Sequence, residues 1–193
     1  ATADGLNLYF ESAGDNVIQQ MYYNGWLHGH FISNIFVFAM DGTICICALN
    51  APGTMHDSTL ADYGGVYFKL QKIYEETGGK VVVDSAFKLA SNPYVIKSSQ
   101  TLPAGDRLAI LIARDATSLR QSAEWGMRQF QASFPRTKDP IQYELNGERR
   151  IILRLIIYLF NFRTRVVGCN QIRSVFLPNL EASWSNARTM FRS

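Results

Sequence analysis

The sequence predicts an α/β fold: a mixed sheet of three antiparallel strands, a crossover helix, a fourth strand parallel to the first, and C-terminal helices. Three observations predict it. β-Branched and aromatic runs crowd the first 51 residues, a Val-Val-Val run at 81–83 follows a helical stretch, and apolar residues recur at helical spacing through most of 117–167.

LNLYFES (6–12) alternates Leu6, Leu8 and Phe10 with more polar neighbours, which is strand period two, and Asp4 borders that strand at its edge. AGDNVIQQ follows as a polar connector. HFISNIFVFAM (30–40) and TICICALNA (43–51) flank Asp41-Gly42, a strong short hairpin signal, so the two are expected to pair antiparallel. Pro52-Gly53 breaks the chain. The stretch 56–79 then reads as a helix whose second turn is weakened by Gly64-Gly65; Val66, Leu70, Ile73 and Tyr74 form its apolar face, and Gly78-Gly79 ends it. KVVVDSAF (80–87) is a short strand covered on both faces and ending in Asp84.

Residues 88–114 are loop-like, with a short apolar piece at 108–113. A helix over 117–134 carries Leu119, Ala123, Met127, Phe130 and Phe134 on one side and stops at Pro135. A last long helix runs over 148–167 and ends at Gly168. Its core, IILRLIIYLF, is interrupted by Arg154 and falls well short of the roughly 20 residues of a bilayer span, so it reads as a buried helix. The order of elements is that of the ribonuclease H-like fold. At 193 residues and 47% hydrophobic content the chain supports one core, expected to be a single domain over 1–193. It opens on ATADG without Met, as an excised piece of a longer protein would.

Charge is unevenly spread. Residues 1–106 hold 5 Lys against 10 acids, a net −5; residues 107–193 hold 13 Arg and 1 Lys against 6 acids, a net +8. Arg is the side chain whose planar fork suits phosphate, so an acidic half beside an Arg-rich half matches a metal site next to a polyanion groove; solvated helix faces are the plainer reading. Cys45, Cys47 and Cys169 form neither a disulfide framework nor a zinc spacing and read as reduced core thiols. His28, His30 and His56 do not make a zinc set; the first two alternate at a strand entrance, as on an exposed edge. No glycine-rich phosphate loop, serine elbow or Cys-His nucleophile pair is present.

Cleaving a phosphodiester with hard cations needs carboxylate oxygens converging from different elements. Asp84 ends the predicted fourth strand and Asp4 borders the first; the two strands are neighbours in this fold, which brings together residues 80 positions apart. Glu124 lies on the Arg-rich helix, sharing a face with Arg120 and Arg128, and has two readings. It either forms surface i,i+4 ion pairs worth about 0.3–0.5 kcal/mol each, or it is a third metal ligand flanked by phosphate-binding arginines. Asp57 or Ser58 is expected to cap the crossover helix ahead of any metal role, and His56 either orients a carboxylate or contacts DNA. Trp125 packs behind its helix or stacks on a base.

Six linked segments carry a family resemblance. ADGLNL, MYYNGWLHGHF, ALNAPGTMHDSTLAD, VVVDSAF, RQSAEWGMRQFQASFPR and NFRTRVVGCNQI, in this order and spacing, resemble the DDE superfamily endonuclease domain of PIF/Harbinger-like transposases along most of the chain. Val83-Asp84 departs from the Gly-Asp or Ala-Asp of many relatives, and nothing like the N-terminal helix-turn-helix region often carried by larger relatives is left before Asp4. The resemblance implies Asp4, Asp84 and Glu124 as catalytic carboxylates holding two Mg²⁺ (or Mn²⁺) ions, with His56 and Asp57 as accessory residues. It implies hydrolysis of DNA at transposon ends followed by transfer of the 3′ end to target DNA; Arg120, Arg128, Arg136 and Lys138, from the Arg-rich half, are the residues expected on the phosphates. DNA is the partner it implies, alongside a separate DNA-binding protein and a homo-oligomer, with no membrane; in a eukaryote the place of action is the nucleus. Two rivals stand beside it: a catalytically silent, transposase-derived DNA-binding or interaction module, and a hydrolase of RNA–DNA hybrids.

Overall fold

The computed structural model describes residues 1–12, 14–87, 92–97, 107–142, 146–168 and 170–190. In chain order the elements are β1 (Thr2–Tyr9), α1 (Asn16–Tyr22), β2 (Tyr23–Asn24), β3 (Gly29–Phe38), β4 (Ile44–Pro52), α2 (Asp57–Tyr63), α3 (Val66–Thr77), β5 (Val81–Val83), β6 (Val95–Lys97) and α4 (Arg107–Ser133). A 3-10 turn (Pro135–Lys138), α5 (Asn146–Val167), a π-helical turn (Ile172–Phe176) and α6 (Leu177–Met190) complete the chain.

The sheet runs β4, β3, β1, β5, β6, with the short β2 also on β3. β1 is antiparallel to β3 from Thr2↔Phe38 to Tyr9↔Phe31 and parallel to β5 at Thr2↔Val82. The expected hairpin is present: β3 and β4 pair from Phe38↔Ile44 to Ile32↔Pro52 around Asp41, whose Oδ1 accepts from the Thr43 amide at 2.9 Å. Side chains alternate across a strand, so β1 serves two cores. Ala3 joins Ile35, Val37, Val81 and Val83 beneath α2 and α3; Leu6 and Leu8 join Phe36, Phe38, Ala123, Met127, Phe130, Leu153 and Phe160 beneath α4 and α5.

Several boundaries differ from expectation. β1 begins at Thr2 rather than 6, because β3 supplies a pairing partner as far as Phe38; Asp4 therefore sits inside the strand opposite Phe36, not at its edge. The polar connector contains α1, capped by Asp15, whose carboxylate accepts from the amides of Val17 and Ile18. The crossover is two helices, since Gly65 adopts φ +67° and a side chain on Gly64 would strike Ala48. Of the loop-like stretch, 95–97 form β6 by parallel pairing with β5, and the apolar piece at 108–113 lies in the first turns of α4, which starts ten residues before the expected helix; residues 88–91 and 98–106 lie outside the described residues.

α5 keeps its expected end at Gly168 but is not a buried helix: Leu153, Ile157, Phe160 and Thr164 face inward while its opposite side is exposed. Cys45 is exposed and so not a core thiol, whereas Cys47 is half-buried and packed against the core beneath α4 and α5; both are free, and Cys169 lies outside the described residues. His28 is exposed, and His30 is half-buried against the Tyr23 ring. Among the described residues no helix is long and apolar enough to cross a membrane.

Candidate functional site

The register of β1 and β5 brings two predicted carboxylates together. Carrying the parallel pair Thr2↔Val82 two residues onward sets Asp4 beside Asp84, both on the face covered by α4. Asp84 leaves β5 in a turn in which its Oδ1 accepts from the Ala86 amide at 2.8 Å. Asp4 Oδ1 accepts from the Gly5 amide, also at 2.8 Å. Burial nevertheless pushes the Asp4 carboxyl up to about 6, and the charges of Asp84 and Asp57 push the same way; the Gly5 hydrogen bond and Arg120 oppose them.

Asp57 reaches the same strand from the opposite face. The residue at the helix N-cap is His56, and no side chain caps the helix there, which corrects the expected capping role of Asp57 or Ser58. Asp57 is instead the first residue of α2, with its carboxylate against the backbone of Gly5, where a Cβ would lie 2.6 Å from its Oδ2. Burial raises the Asp57 carboxyl, Asp84 raises it further, and His56 lowers it. Gly5, which sequence reasoning did not single out as a site residue, is thus what lets the second acidic group approach. The only sequence signal for it is its place next to Asp4.

Glu124 stands apart from this pair. Its Oε1 accepts from Arg120 Nη1 at 2.9 Å, and it is joined to the β1–β5 carboxylates through Arg120, which also faces Asp4. The surface ion pair foreseen as one of its two readings is therefore formed. Among the described residues no group of three or more His, Cys, Asp or Glu is drawn tightly enough to hold a metal ion. The donor chemistry at Asp4, Asp84 and Asp57 still fits a hard divalent cation. All three are oxygen donors, the charge of Asp84 raises the hold of both Asp4 and Asp57 on protons, and Gly5 leaves room for the Asp57 carboxylate against the strand.

Of the predicted phosphate-contacting residues, Arg128 and Lys138 are exposed, while Arg136 is exposed but paired with Asp139 at 3.3 Å. Trp125 packs edge-on against Phe176 at 5.8 Å and keeps part of its ring at the surface. Two basic features lay beyond sequence reasoning. Lys69, Arg150 and Arg154 line a groove of about 590 Å³ along β4. Arg149 is buried, its guanidinium over the Phe10 ring at 4.8 Å and bonded to Asn50 Oδ1 at 3.0 Å and the Tyr22 hydroxyl at 3.2 Å.

A mixed sheet with one carboxylate on a strand and another at the end of the adjacent parallel strand, a crossover between them and a helix laid over their face fits the ribonuclease H-like class of nucleases. Within that class, the chain belongs to the DDE superfamily endonucleases, whose family profile matches residues 3–161, from β1 through most of α5. Membership implies DNA as the substrate, and nucleases of this superfamily generally use divalent metal ions. No curated protein matches the chain, and no solved structure matches it.

Proposed function

We propose that the chain is the catalytic domain of a PIF/Harbinger-like DDE transposase, which hydrolyses DNA phosphodiesters at element ends and transfers the freed 3′ end to target DNA, in the nucleus of a eukaryotic host. The observation that carries this reading is the desolvated carboxylate cluster on β1 and β5: Asp4, raised to about 6, beside Asp84 with Asp57 behind. An arrangement so unfavourable to its own negative charge is stabilised by binding cations.

Asp4, Asp84 and Glu124 are the residues that would hold two Mg²⁺ (or Mn²⁺) ions. Such ions, when bound, activate the attacking oxygen and stabilise the leaving one. Asp57 supports Asp4 from behind β1 and adds negative charge, and His56 tempers the charge of Asp57. Arg120 bonds Glu124 and faces Asp4, so a Glu124 turned toward the carboxylates would release Arg120 for a phosphate oxygen. Arg128 and Lys138 would hold the DNA backbone beyond it, contributing affinity without sequence information.

Nicking of supercoiled DNA in Mg²⁺ or Mn²⁺ tests the reading. Asp84→Asn and Glu124→Gln are each expected to lower the rate at least about 100-fold, in line with the loss of a charge-stabilising group from an active centre. Undiminished cutting by Glu124→Gln would remove that residue from the set. The ion pair between Arg120 and Glu124 favours one rival, a transposase-derived DNA-binding or interaction module without catalysis. That rival predicts DNA binding by the wild type with no metal-dependent nicking at all.

A further inference from the structure

α5 exposes a continuous apolar stripe that the fold does not use. Ile151, Leu155, Tyr158, Leu159, Phe162 and Val166 lie on one side of the helix, opposite the inward-facing Leu153, Ile157, Phe160 and Thr164, and are between 47% and 72% exposed. Scattered apolar residues on a surface need no explanation, but a contiguous patch of more than about 300–600 Å² marks an interaction site. These six side chains expose on the order of 800 Å², close to the ~800 Å² each partner contributes to a standard interface.

The spacing of the stripe identifies the occupant. Reflected about the point between Tyr158 and Leu159, it maps onto itself: Tyr158 exchanges with Leu159, Leu155 with Phe162, and Ile151 with Val166. A patch with that symmetry is complementary to an antiparallel copy of itself, as a twofold interface requires. Antiparallel helices also oppose their dipoles. A shallow crossing of about 20° keeps contact along the roughly 22 Å between Ile151 and Val166.

We propose that α5 is a homodimerisation helix, pairing antiparallel with α5 of a second copy across a twofold axis at Tyr158–Leu159. The inference rests on the packing of α5 alone and does not depend on the catalytic reading.

Two measurements test it on the 193-residue chain. The mass in solution by light scattering at tens of micromolar should be that of a dimer, and Tyr158→Asp should raise the dissociation constant at least about 100-fold while the circular dichroism spectrum stays unchanged. In a background with Cys45, Cys47 and Cys169 replaced by Ser, Leu159→Cys should cross-link to its own copy. Ile151→Cys should not cross-link alone but should do so when mixed with Val166→Cys. A monomeric wild type overturns the proposal, as does a dimer that Tyr158→Asp leaves intact. Self-cross-linking by Ile151→Cys would indicate parallel helices and equally overturns it.

Discussion

The carboxylate of Asp57 occupies the space that a side chain on Gly5 would need, with Oδ2 2.6 Å from the position of a Cβ there. Gly5→Ala should therefore displace Asp57 from behind Asp4. The overpacking is expected to destabilise the fold by about 1–3 kcal/mol, and metal-dependent nicking should fall at least tenfold. Adding Asp57→Ala to Gly5→Ala should recover most of the stability but not the activity, a coupling that urea melts and nicking rates of the four-member cycle would reveal. Additive stabilities would mean that the two residues do not meet.

The raised Asp4 carboxyl makes stability depend on pH. Its folded value of about 6 exceeds the ordinary 3.8, so between those values the folded chain binds more protons than the unfolded one. This contribution is fully present below 3.8, declines as pH rises through the window, and is gone above 6, a difference of up to about 3 kcal/mol. Asp4→Asn should flatten that slope and melt higher than wild type at pH 7.5 in EDTA. Mg²⁺ should raise the wild-type melting temperature at pH 7.5 and do little for the variant. A variant that melts no higher than wild type in EDTA would contradict the desolvation of Asp4.

Arg149 should prove structural, although it lies among the arginines of the basic half. It is stacked on Phe10 and bonded to Tyr22 and Asn50, tying α5 to the segment just after β1, to α1 and to β4. Arg149→Ala is expected to cost about 3 kcal/mol in urea unfolding, through lost packing and through partners left unsatisfied. Arg149→Lys should recover only part of that, because an ammonium neither stacks flat nor forks.

Arg128 and Lys138 are exposed and, among the described residues, carry no ion pair of the kind that engages Arg136 and Arg120. Each Ala substitution should reduce the slope of log affinity for DNA against log salt by about 1. Arg136→Ala should change it less, since Asp139 already offsets its charge. Fluorescence anisotropy across a salt series would separate them.

The parts of the fold that were legible in the sequence are those specified by neighbours in the chain. Asp41-Gly42 between two β-branched runs announced the β3–β4 hairpin, and Val81–Val83 announced a strand covered on both sides. What escaped was set by distant partners. β6 is three residues long and exists because β5 offers it a parallel edge; β1 starts early because β3 extends alongside it as far as Phe38 and β5 pairs with it at Thr2. α1 depends on a single side chain, Asp15, turning back onto two amides. At the site, Asp84 at the end of its strand could be read locally, and so could the Arg120–Glu124 pair, one helical turn apart. The approach of Asp57 to Gly5 joins residues 52 positions apart and has no local trace beyond a glycine beside an acid.

β1 separates two cores and presents a different neighbour to each: Asp4 toward α4, Gly5 toward α2. The acids around it are supplied by β1, α2 and β5, with Glu124 waiting on α4, so no stretch of chain shorter than about 120 residues contains them all. A ribosome-bound or partly unravelled copy lacks either the strand pairing or one of the helical layers, and with it the crowding of charge at Asp4. If the chain cuts DNA as proposed, folding itself acts as the safety catch: competence to cut would arrive only with the finished molecule.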